Sequence, residues 1–137
     1  MTLSIQTTRN NVHPSSYDSS NPDIHKKSLE KMDRLTVLIL DTTTEQERLN
    51  FYIKTLAPYN EFPSENKQNI HIAPMAQTTP QTIWNWRAGV TKPGALGRLY
   101  GFARNRFESE LAMAAAFGDA VGCDFLAEAG IDPKVLK

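Results

Sequence analysis

Apolar side chains recur at helical spacing along most of this chain. In residues 44–56 the apolar positions are Leu49, Phe51, Tyr52, Ile53 and Leu56. Thr43 or Thr44 supplies an N-cap, and Glu45 and Glu47 fall in the first turn, where the helix dipole favours anions. Residues 27–41 read two ways. Leu29, Met32, Leu35 and Ile39 follow a helix, whereas Leu35, Val37 and Ile39 would line one face of a strand in the run LTVLIL. The balance leans to a helix beginning near Lys27, with a short extended ending to residues 33–40 as the alternative. Residues 57–66 hold two prolines and several turn-forming residues and read as a loop. Residues 68–77 make a short helix in which Pro74 requires a late start near Ile72 or a kink. Thr79 followed by Pro80 is an N-cap with proline at the first helical position, and Gly89 is the residue that ends that helix after Ala88.

Beyond the turn Lys92-Pro93-Gly94, residues 95–106 form an amphipathic helix with Leu96, Leu99, Tyr100, Phe102 and Ala103 inward. Gly97 and Gly101, four apart, would allow close approach of another helix. From Phe107 to Glu128 the pattern is helical and alanine-rich, with Leu111, Ala115, Val121, Phe125 and Leu126 apolar, and Gly118 and Gly122 expected to break or bend it. Residues 1–26 are rich in Ser, Thr, Asn and Pro without periodicity and are expected to be a disordered arm. The expectation is an all-α fold of about five helices over residues 27–137.

Composition removes several function classes. Mean hydropathy is −0.43, and no apolar run approaches the roughly 20 residues of a membrane helix. The N-terminal stretch lacks a basic start followed by an apolar segment, so a secretory signal is not expected. Cys123 stands alone, which excludes an internal disulfide and fits a reducing, cytoplasmic setting; it reads as a small buried hydrophobe. His13, His25 and His71 are scattered without metal-ligand spacing, and each is expected to have a surface or packing role. No glycine-rich phosphate loop and no set of nucleophile, base and oxyanion donor is present in the sequence. The expectation is therefore no enzyme, no metal and no cofactor.

The formal net charge of zero conceals a segregation. Residues 1–65 carry 7 basic and 9 acidic side chains, residues 66–107 carry 6 basic and none acidic, and residues 108–137 carry 2 basic and 6 acidic. The six central cations are Lys67, Arg87, Lys92, Arg98, Arg104 and Arg106. A long stretch of cations without an anion points to a polyanion partner.

The same stretch holds a constellation with its own logic. Ala73 is small where two short helices must cross closely, and Ile83 and Trp86 bury the inner face of the helix that Gly89 ends. With the turn Gln77-Thr78-Thr79, and with Pro93 starting the next segment, residues 72–93 resemble the helix-turn-helix of the Cro/phage-repressor type, which places the helix-turn-helix itself at residues 68–89. The chain departs from that pattern at Gln77, where glycine is usual, at Pro74 and Pro80, and at Trp84, where a polar residue usually faces outward. The resemblance implies a small DNA-binding domain whose third helix, the one after the turn, enters the major groove of double-stranded DNA. Gln81 and Asn85 are then candidates for adenine edges, and Arg87 for a guanine or a phosphate. Thr79 and Thr82 are phosphate candidates at the helix start, Trp84 a contact to a thymine methyl or a sugar, and Lys92 and Arg98 backbone contacts.

The expected function is sequence-specific transcription regulation, with a homodimer through the C-terminal alanine-rich helices. The competing expectation is a helical adaptor or inhibitor that binds a protein partner through the basic, Trp-containing segment, with Trp84 as anchor.

Overall fold

The computed structural model describes residues 22–132 and 134, the side chains of 22–29 excepted. Among these residues there are seven helices and no strand: α1 (Pro22–Thr42), α2 (Glu45–Leu56), α3 (Glu65–Met75), α4 (Pro80–Arg87), α5 (Leu96–Arg104), α6 (Glu110–Val121) and α7 (Phe125–Glu128). The expected all-α class holds. Most of the expected arm, and His13 with it, lies outside the described residues, as does the side chain of His25. The chain is already helical from Pro22, ahead of the expected start near Lys27. Residues 33–40 are helix, not strand. Among the described residues, no helix is long and apolar enough to cross a membrane.

The described residues form two compact units, one spanning 43–123 and the other combining α1 with residues from Asp124 onward. In the second of these, α1 packs against α7, and Leu35, Phe125, Leu126, Ala129 and Ile131 are buried. The Arg34 guanidinium donates to the Ala129 carbonyl at 3.2 Å.

The larger unit is built around α2. Thr44 accepts from the Glu47 backbone N–H, and the Glu47 carboxylate accepts in return from the Thr44 N–H at 2.8 Å, a complete capping box. Leu49, Ile53 and Leu56 are fully buried with Ile72 of α3, Ile83 of α4 and Leu99 of α5. At helical spacing these positions share one face, so α2 can present a single stripe to its neighbours. Phe51 stacks on Phe107 with centroids 6.1 Å apart and meets Phe117 in a tilted pair at 4.9 Å. Tyr52 meets Tyr100 edge-on, and its burial pushes the phenol up to about 12.

Several local expectations need correction. α3 starts at Glu65, because the Ser64 hydroxyl accepts from the Lys67 N–H. Pro74 sits in the last turn, so α3 ends at Met75 instead of starting late or kinking. Gly118 is buried within α6 and does not break it; Gly122 does, in the left-handed region at φ +76°. Phe102 is exposed, not inward, and a Cβ added at Gly101 would meet nothing within 4 Å, so none of the described helices approaches closely there. Cys123 is half-buried. His71 has a packing role, stacked on Phe62 at 4.2 Å.

Candidate functional site

The tight connection between α3 and α4 follows from backbone hydrogen bonding. The N–H of Thr78 bonds the Ala73 carbonyl at 2.9 Å, and that of Gln77 bonds the Pro74 carbonyl at 3.2 Å. This pairing at a helix end needs a left-handed residue, and Gln77 adopts φ +55° to provide it. Thr79 then caps α4, accepting from the Thr82 N–H at 3.2 Å. The two threonine hydroxyls also bond each other at 3.0 Å. Pro80 occupies the first turn, where the missing N–H has no helical partner to lose. At the other end, Gly89 at φ +77° lets the Val90 N–H return to the Asn85 carbonyl at 2.9 Å.

α4 presents two contrasting faces. Ile83 and Trp86 are buried. Gly94 lies so near the Trp86 indole that an added Cβ would sit 3.2 Å from its Cζ2. On the opposite side Gln81 and Ala88 are exposed, Trp84 is 46% exposed and Asn85 is half-buried. These four recur at i, i+3, i+4 and i+7 and so share one face. Gln81 Nε2 donates to Asn85 Oδ1 at 3.2 Å along it.

Arg87 departs from the expectation that it contacts a base or phosphate. Its guanidinium donates to Asn69 Oδ1 at 2.8 Å and to Gln68 Oε1 at 3.1 Å. Helical geometry places residue 87 well away from the 81/85 side, so it turns back toward α3. Gln68 and Asn69 are the buried polar residues of the chain's described core. Gln68 continues the chain of bonds, donating to the Ala57 carbonyl at 2.7 Å. From the far side, Gln46 of α2 donates to the carbonyls of Trp86 and Arg87, the latter at 2.9 Å. The Trp86 carbonyl also accepts from the Gly89 N–H at 3.2 Å, and both carbonyls belong to the α4 C-terminus, where carbonyls run out of intrahelical donors. Sequence reasoning missed Gln46, Gln68 and Asn69. A signal for the last two existed: Gln68 stands four residues before Ile72, and Asn69 four before Ala73, on the buried face of α3.

The cations divide likewise. Lys67, Lys92, Arg98 and Arg106 are exposed, whereas Arg87 is tied inward and Arg104 donates to the Phe107 carbonyl at 3.1 Å. Folding also brings an anion to the site. A cleft of about 570 Å³ is lined by Glu65, Asn66 and Asn69 of α3 and by Pro80, Gln81 and Trp84 of α4. A second cleft of about 440 Å³, near Phe51 and Phe107, has Lys54, Arg106 and Asp119 among its lining residues.

The described residues are all-helical and leave a short, uncharged face of α4 uncovered beside a cleft lined by amides and Glu65. Compared with protein-family models, curated proteins and solved structures, the chain has no match.

Proposed function

We propose that this protein is a DNA-binding transcriptional regulator in which α3, its turn and α4 act as a helix-turn-helix, with α4 entering the major groove. The observation that carries the reading is the division of α4: Ile83 and Trp86 are buried, while Gln81, Trp84 and Asn85 share an outward side. The left-handed Gln77 supports it further, because it takes the backbone conformation that glycine takes at that turn in the resembling family. The exposed Lys67, Lys92, Arg98 and Arg106 are the candidate phosphate contacts, and Arg87 supports α4 through Asn69 and Gln68. Thr79 and Thr82 serve the α4 cap, from which a hydroxyl can also reach a phosphate. The proposed homodimer uses the half-exposed alanine-rich side of α6, and the proposed setting is the cytoplasm, without cofactor or catalysis.

The test is fluorescence anisotropy with a labelled duplex of mixed sequence at 50 and 200 mM salt. The expected result is binding at low salt that weakens steeply at high salt. Absence of binding at low salt overturns the reading. Sedimentation at high concentration tests the dimer, and a monomer there removes it.

A protein-binding adaptor is the second reading. It is favoured by the exposed Ile70, Trp84, Val90 and Phe102, all within the segment that lacks acidic residues. Under it, Trp84→Ala abolishes partner capture and leaves any duplex binding unchanged.

A further inference from the structure

We propose that the outer face of α4 recognises an A·T pair, with the Gln81–Asn85 amide couple on adenine and the Trp84 indole against the thymine methyl group. The inference rests on the DNA-binding reading above and adds the identity of the base pair.

Gln81 Nε2 donates to Asn85 Oδ1 at 3.2 Å. Each carboxamide has one acceptor oxygen and two N–H donors. Their mutual bond leaves the Gln81 oxygen free to accept and the Asn85 nitrogen free to donate. Exchanging nitrogen and oxygen in both groups only swaps which residue supplies which. In either arrangement one carboxamide keeps its oxygen free to accept and the other keeps both N–H groups free to donate, so the couple can set an acceptor beside a donor. Adenine presents the complement in the major groove, an N7 acceptor beside the N6 amino donor. Guanine presents two acceptors, N7 and O6, which take N–H donors alone and leave the free amide oxygen without a donor on the base edge.

The surroundings point the same way. A guanidinium is the side chain best suited to guanine, and the one on α4 is Arg87. Its two terminal nitrogens are engaged by Gln68 and Asn69, away from this face. Trp84, 46% exposed, stands three residues from Gln81 on the same side. The thymine methyl is the apolar group on the major-groove edges, and an exposed indole is suited to cover it.

The experiment compares the full chain's affinity for four labelled duplexes of equal length by fluorescence anisotropy. They are alternating A·T, alternating G·C, A·T with 7-deazaadenine for adenine, and A·T with uracil for thymine. The A·T duplex should bind roughly tenfold more tightly than G·C. Replacing N7 should remove most of that preference, and Gln81→Ala or Asn85→Ala should do the same. Uracil should weaken binding to the natural chain and have no effect on Trp84→Ala. Equal affinity for A·T and G·C overturns the inference. So does a preference that survives 7-deazaadenine, since groove width or flexibility would then be its source. Salt-sensitive binding to all four duplexes without preference leaves the DNA-binding reading standing, whereas no binding to any of them removes both.

Discussion

Gln77 carries a conformation that its side chain opposes. At φ +55° its Cβ crowds the following carbonyl oxygen, at a cost of about 1–2 kcal/mol. Glycine has no such clash, although it gives up roughly 0.5–1 kcal/mol of unfolded-chain entropy. Gln77→Gly is therefore expected to stabilise the chain, by up to about 1 kcal/mol, read as a higher urea midpoint with an unchanged slope. Gly89→Ala at φ +77° should act in the opposite sense. Tyr52 gives a pH-dependent counterpart. Burial pushes its phenol from 10.0 up to about 12, so the folded chain keeps a proton that the unfolded chain has lost. Stability is full below pH 10 and falls as pH rises toward 12. The slope is about 1.4 kcal/mol per pH unit. Urea titrations at pH 9, 10.5 and 11.5 should show that fall, and Tyr52→Phe should flatten it. Neither residue's state is written in its immediate neighbours. The turn was legible from Gln77-Thr78-Thr79, but that glutamine takes the left-handed position follows from where α3 ends, since the Gln77 and Thr78 N–H groups bond the Pro74 and Ala73 carbonyls there.

At the scale of elements, α4 is held by two sets of amides. Gln46 reaches its last carbonyls from α2, and Arg87 reaches Gln68 and Asn69 on α3. Arg87→Ala strands buried oxygens on both amides, so a loss of about 1–3 kcal/mol in stability is expected. Base preference should survive in the molecules that remain folded. Asn85→Ala should do the reverse, leaving the urea midpoint nearly unchanged while relaxing sequence preference by about 1–3 kcal/mol. A stability loss for Asn85→Ala matching that of Arg87→Ala would remove the distinction between a reading face and a supporting face. The limits of α2 and α4 were legible because their caps are local: Thr44 with Glu47, and Thr79 with Pro80 before Gly89. The start of α3 was missed because Ser64 follows a proline-rich loop and the buried face of that helix begins with amides instead of apolar residues.

For the molecule as a whole, charge is the quantity to follow. The acid-free stretch of residues 66–107 leaves four exposed cations, Lys67, Lys92, Arg98 and Arg106. If each meets a phosphate, log K should fall with log salt at a slope of about −3.5. Glu65 opposes this attraction from the cleft beside Gln81 and Trp84. Glu65→Gln should therefore raise duplex affinity several-fold at 50 mM salt, with the gain shrinking at 200 mM as screening takes over. An unchanged affinity would place the cleft away from the nucleic acid. The chain's helical periodicity, caps and charge blocks were enough by themselves to determine an all-α fold, the limits of α4 and the candidate amide face, because each depends on residues a few positions apart. Only tertiary structure decided that Arg87 turns inward, that Phe102 stays outside and that Glu65 stands beside Trp84. Those outcomes depend on which helix lies across from which, and contacts between distant segments leave no periodic trace in the sequence.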